Sequence, residues 1–177
     1  MSENRKTYVG LLYFVTLTVV GWIDVFTRKT YAEIIIENLK YCQQNEGLNI
    51  YAYVIMSNHI HLVVKRDSEN DLNELLGRFK SYTSKKIIHE IEENIQESRK
   101  EWMLHLFKHH AKKNKQYKDY HFWQYTNKPI ELFSTEVIDQ KINYIHQNPV
   151  VAGIVAEDYQ YIYSSANPDS LLKVNEM

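Results

Sequence analysis

Cysteine is nearly absent: Cys42 stands alone in 177 residues. That excludes an intramolecular disulfide framework and any multi-cysteine zinc site, and suits a reducing, cytoplasmic setting. Glycine is scarce too, at five residues. This is too few for a cupin-type barrel of many short strands, and no glycine-rich loop or P-loop cradles a nucleotide phosphate. Charge of one sign is also lacking: 21 Lys and Arg against 22 Asp and Glu leave a net charge of −1. Composition therefore gives no general argument for nucleic acid. No repeat, low-complexity tract or Pro/Gly/Ser linker divides the chain. The apolar run "YVGLLYFVTLTVV" (Tyr8 to Val20) lacks a small-residue cleavage pattern, and Asp24 interrupts it before spanning length. No membrane contact is expected, and one domain over residues 1–177 is.

Hydrophobic residues make up 44% and charged residues 24%, an ordinary globular balance. The elements have a readable order. Leu11 to Val20 reads as a strand, and Tyr31 to Gln44 as a helix with Ile34, Ile35, Leu39 and Tyr41 inward and Gly47 closing it. Asn49 to Met56 and His59 to Lys65 read as two strands joined by a Ser57-Asn58 turn. A long helix begins near Asp71 with Leu72, Leu75, Leu76 and Phe79 on one side. The basic, His-rich segment Arg99 to Tyr120 reads as loop, and "FWQY" with "KPIELF" as a further strand or hairpin. Ser134 or Thr135 caps a last helix that Pro149 is expected to end or kink. The apolar tail is expected to pack back on the domain. This predicts an α+β, ferredoxin-like βαββαβ sandwich, an antiparallel sheet with helices on one face.

The stretch "YAYVIMSNHIHLVVKR" carries His59 and His61 two residues apart. On a strand, positions i and i+2 share a face, so both imidazoles project side by side while Ile60 and Leu62 go the other way. Two neutral imidazoles aimed at one point form part of a divalent-metal site, given a third ligand from elsewhere. The chain is too short for a barrel amidohydrolase and has no second His-x-His for a two-histidine phosphoesterase. His109 and His110 are adjacent rather than alternating, and read as solvent-exposed.

A second constellation lies in "KINYIHQNPVVAGIV" (Lys141 to Val155). Tyr144 and Asn148 are at i and i+4, on one helix face. Asn148 offers a carbonyl oxygen to a hard metal. A free phenol titrates near 10 and is a poor nucleophile at neutral pH, so a metal that neutralises phosphate charge would make its attack feasible. Asn148 precedes a proline and sits at a helix end, so Gln147 or Gln140 is an alternative ligand. Tyr82, in "FKSYTSKKI", is the main rival among 14 tyrosines.

Together "YVIMSNHIHLVV", "RFKSYTSKKI", "FWQY", "KINYIHQNPVVAGIV" and "YSSA" resemble the REP-associated tyrosine transposases, which are single-tyrosine HUH transposases. The resemblance runs from Tyr51 to Ala166 in the family's order. It implies a ferredoxin-like catalytic domain with the catalytic tyrosine on a C-terminal helix. It also implies cleavage and rejoining of single-stranded DNA near hairpins with Mg²⁺ or Mn²⁺, through a 5′-phosphotyrosine link. His59, His61 and Asn148 match the family's metal ligands and Tyr144 its nucleophile. Ser57 replaces the proline usual in the turn, which changes turn stiffness and not ligand identity. In some relatives a partner subunit contributes the tyrosine helix, so a homodimer with Tyr144 acting in trans is one arrangement the resemblance allows.

Candidate DNA contacts are Arg78, Lys80, Lys85 and Lys86, with no acid between them, and the segment Lys108 to Lys118, including Lys112 and Lys113, ordered only on DNA. Trp123 and Tyr125 offer stacking surfaces. Two other readings are a hairpin-binding regulator with an idle site, and a His-dependent metal phosphoesterase in which Tyr144 is structural.

Overall fold

The computed structural model describes residues 7–67, 71–114, 116–127 and 129–177. In chain order come β1 (Leu12–Thr18), α1 (Lys29–Asn45), β2 (Leu48–Ile55), β3 (His59–Arg66), α2 (Leu72–Glu93), α3 (Lys100–Lys112), β4 (Ile130–Glu131) and α4 (Thr135–Val151). The sheet order is β2-β3-β1-β4 and every pairing is antiparallel. This is the expected α+β arrangement, with α3 added before a short last strand and α4 packed on the sheet face opposite α1, α2 and α3. No helix among the described residues is long and apolar enough to cross a membrane.

Alternation along the strands sorts the side chains. Tyr13, Val15 and Leu17 of β1 and Ile60, Leu62 and Val64 of β3 enter the larger core with α1, α2 and α3. Phe14, Val63, Ala52 and Val54 point the other way, into a smaller core closed by Leu132 and by Ile145 of α4. One extra residue in β2, Tyr51, shifts its register between Ile50 and Ala52. The shift lets Ile50 before it and Tyr53 after it both reach the larger core. The tail packs back as expected: Ser165 N–H donates to Tyr53 O and Ile55 N–H to Tyr163 O, covering the edge of β2.

Helix ends follow local chemistry. Asp71 caps α2 by accepting from Asn73 N–H, and Ser134 caps α4 by accepting from Val137 N–H. Four expectations need correction. Tyr41 is about half exposed, and Cys42 takes the inward place instead, because the apolar stripe of α1 drifts round the helix. Residues 100–112, expected as loop, are α3: Met103, Phe107 and Ala111, spaced by four, are buried in one stripe beneath a basic surface. "FWQY" supplies only an isolated bridge from Trp123 to Val19. Pro149 does not end α4 at once, since the helix runs on to Val151. A proline in the last turn costs one backbone bond there, and the helix closes where Gly153 (φ 69°) allows it. Gly153 N–H donates to Val150 O and Ile154 N–H to Pro149 O, a Schellman closure.

The junction between α2 and α3 is pinned by Glu97, whose carboxylate is fully buried. It accepts from Arg28 Nε at 3.1 Å, from Arg99 Nε and Nη2 at 3.0 Å each, and from Tyr31 Oη at 3.2 Å. The Arg99 hydrogen bonds hold this carboxyl down at about 2, against an ordinary 4.5. Removing one partner of a buried pair leaves uncompensated charge. The two arginines are 43% and 29% exposed, so water relieves part of that cost. Glu97→Ala is therefore expected to lose about 2–3 kcal/mol at neutral pH, read as a lower urea midpoint. Because the folded-state value is depressed, this contribution is complete above about 4.5 and fades as pH falls toward about 2. The gap between wild type and variant should narrow over that window. A gap constant from pH 7 to pH 2.5 would contradict the assignment.

Candidate metal and tyrosine site

The pleat of β3 turns His59 and His61 to the face that α4 covers. Their ring centroids are 4.7 Å apart, and β1 brings Thr18 opposite His59 and Thr16 opposite His61. α4 is held on this face by Ile145, fully buried among Phe14, Ala52, Val54 and Val63. Tyr144, the residue before it, is left half exposed at the margin of that contact. Its ring lies 5.3 Å from His61 and 6.0 Å from Phe14, edge-on to both. At the other end, Trp22 sits 6.0 Å from His59. The rings thus form a row, Trp22, His59, His61, Tyr144.

Neighbouring groups fix the imidazoles. Asn58 Nδ2 donates to Asp24 Oδ1 at 2.9 Å and to Trp22 O at 3.3 Å, so its Oδ1 faces His59 Nδ1, 2.8 Å away. His59 must then donate from Nδ1, which leaves a lone pair on Nε2. His61 Nδ1 lies 2.9 Å from Thr16 Oγ1, and the ring stacks on Phe14 at 5.2 Å. Burial, then the nearness of His59 and Lys141, pushes His61 down to about 3, and burial lowers His59 as well. Both rings are neutral at physiological pH, as a metal ligand requires.

α4 also carries oxygen donors within about one turn of Tyr144. Asn148 is one turn beyond Tyr144, and its Nδ2 donates to Tyr144 O at 3.0 Å, leaving Oδ1 as a hard donor. Gln147 is tied to Asp158 at 3.1 Å, and Gln140 is exposed one turn before Tyr144. Among the described residues no third His, Cys, Asp or Glu joins the histidines. Two neutral imidazoles and an amide oxygen are a donor set suited to a divalent metal ion.

Several site residues are not legible from spacing alone. Lys141, one turn before Tyr144, holds its Nζ 4.9 Å from the Phe14 ring and 5.6 Å from the Tyr144 ring. Its i, i+3 relation to Tyr144 was the available signal. Thr16 and Asn58 act through strand register and a turn, which no local pattern announces.

The basic residues are scattered. Lys80 is not a free cation: its amine donates to Gln124 O and Asn127 Oδ1 at 2.6 Å each and to Tyr125 O at 3.2 Å, and burial lowers it to about 8. Arg78 pairs with Glu46 and Lys86 with Glu37, along a groove of about 390 Å³ between α1 and α2 that Tyr82 also lines. Lys85 is exposed on α2, and Lys112 and Lys113 are exposed at the end of α3. The residues from Lys108 to Lys112 are helical without DNA; Lys115 lies outside the described residues. α2 packs on the face of the sheet opposite the histidines, so Tyr82 and its basic neighbours do not approach them.

Comparison with known proteins bears on the fold and the family. One solved structure is described as a REP-associated tyrosine transposase bound to a REP hairpin. It is 19% identical to this chain, with a TM-score of 0.61 over 93% of this chain and 82% of that one. That likeness concerns the fold. Another, a candidate transposase from Deinococcus radiodurans R1, is 14% identical over 82% of this chain and 95% of that one, with a TM-score of 0.45. No curated protein matches the chain. The family model described as "Transposase IS200 like" matches residues 11–110, from β1 into α3, a span that includes both histidines and stops before Tyr144. Over more than half its length, then, this chain belongs to the IS200-like transposase family.

Proposed function

We propose that this transposase cleaves and rejoins single-stranded DNA at hairpin-forming elements, with Tyr144 as nucleophile and a divalent ion held by His59, His61 and Asn148. The observation that carries this reading is the 5.3 Å approach of the Tyr144 ring to His61, across two elements 83 residues apart in sequence (144 − 61). An exposed phenol beside a pair of neutral imidazoles suits nucleophilic attack on a phosphodiester. When bound, Mg²⁺ or Mn²⁺ would neutralise phosphate charge and polarise the phosphorus. Tyr144 Oη forms a bond to phosphorus as the bond to the 3′ oxygen breaks. The phenol gives up its proton and the departing oxygen takes one up. Phosphodiester energy is kept in the tyrosyl link, so rejoining needs no nucleotide cofactor.

Tyr144 and the histidines meet within one chain, which favours action in cis. The similar structure's bound hairpin is the support for a hairpin substrate. Of the cations expected to contact its backbone, Lys85, Lys112 and Lys113 are exposed, and Lys141 stands beside Tyr144.

The test is to mix the protein with labelled hairpin DNA from the sequence flanking its own gene. A denaturation-resistant protein–DNA band is expected with Mg²⁺ or Mn²⁺, lost in chelator and regained when metal is restored. Tight hairpin binding with no band on any flanking hairpin would overturn the enzymatic reading in favour of a regulator.

A further inference from the structure

Trp22 is an unusual residue to leave at the surface. The residue is 61% exposed, and its backbone is held at φ 56°, a left-handed conformation that bulky side chains avoid. The residue before it, Gly21, is left-handed too (φ 63°), and a Cβ there would come within 2.8 Å of His110 Nε2. Surrounding structure enforces the conformation. Val20 and Ile23 on either side are buried anchors, and Trp22 N–H donates to Val19 O at 3.2 Å. Asn58, which orients His59, also donates to Trp22 O. One amide side chain thus bonds both the Trp22 backbone and a candidate metal ligand. Strained backbone kept in place around an exposed aromatic ring, beside a reactive site, points to a role in binding.

We infer that Trp22 is a stacking platform for the unpaired base immediately 5′ of the scissile phosphate. This rests on the DNA-cleaving reading above. In-line displacement puts the attacking phenol and the departing 3′ oxygen on opposite sides of phosphorus. Tyr144 ends the row of rings on one side of the histidine pair and Trp22 ends it on the other. The nucleotide that leaves with a free 3′-hydroxyl therefore lies on the side of Trp22. An indole face accepts any base, so the platform holds the strand in place without choosing its sequence. It is also poised to keep the freed 3′ end near the phosphotyrosine link until rejoining.

The experiment maps the cleaved bond with wild-type protein, then makes a second substrate with an abasic site at the nucleotide 5′ of it. Adduct formation is measured for wild type, Trp22→Asn and Trp22→Phe on both DNAs. Asparagine tolerates the left-handed backbone, so Trp22→Asn removes the ring while sparing the turn. On intact DNA it should lose about 5- to 150-fold in efficiency, the range of one base–aromatic stack, and Trp22→Phe should recover most of it. The abasic substrate should cost wild type a similar factor and cost Trp22→Asn little more. Losses that multiply, or no loss in Trp22→Asn, would overturn the platform while leaving the cleavage reading intact. A wild-type protein that forms no adduct would overturn the cleavage reading, and the platform with it.

Discussion

Tyr144→Phe is expected to abolish the covalent protein–DNA product while leaving stability and hairpin affinity unchanged. The substitution removes one oxygen and keeps the ring that meets His61 and Phe14. Tyr144 is 48% exposed, so a change within about 0.5 kcal/mol is expected in unfolding. Binding measured by fluorescence anisotropy should therefore match wild type, while the denaturing gel shows nothing. Tyr82 cannot substitute within the same chain. It lines the groove between α1 and α2, behind the sheet from the histidines. An adduct that persists in Tyr144→Phe would place the chemistry elsewhere.

His61→Ala is expected to reduce adduct formation by about 10³-fold or more, the scale of losing a metal ion's several kcal/mol of charge stabilisation. His61 is 5% exposed and stacked on Phe14, so the variant should also unfold somewhat more easily. A milder neighbour separates ligand loss from damage to the fold. Asn58→Ala leaves both imidazoles but frees the His59 ring from its oriented partner. It should weaken metal affinity by about 10- to 100-fold. Raising Mn²⁺ ought to restore Asn58→Ala and fail to restore His61→Ala. Equal rescue of both would mean that His61 is not a ligand.

Much of this arrangement was legible in the sequence because short-range periodicity governs it. The i, i+2 spacing of His59 and His61 dictated a shared face, and the i, i+4 spacing of Tyr144 and Asn148 dictated adjacency on a helix. The antiparallel sheet followed from the βαββαβ order, with two strands joined by a short turn. What escaped depends on partners far along the chain. Lys80 reads as a surface cation until Gln124, Tyr125 and Asn127 fold over it. The bulge at Tyr51 is invisible because β2 is apolar on both faces. α3 hid its apolar stripe, Met103, Phe107 and Ala111, among seven basic residues between Arg99 and Lys118. The left-handed turn at Gly21 and Trp22 offers only a single glycine as a signal, too common to carry the inference.

The most direct test of the central claim is peptide mapping of the adduct by mass spectrometry after nuclease and protease digestion. The expected product is a nucleotide joined through its 5′ phosphate to the peptide containing Tyr144, formed only with divalent metal. A nucleotide on a different tyrosine, or one joined through its 3′ phosphate, would contradict it.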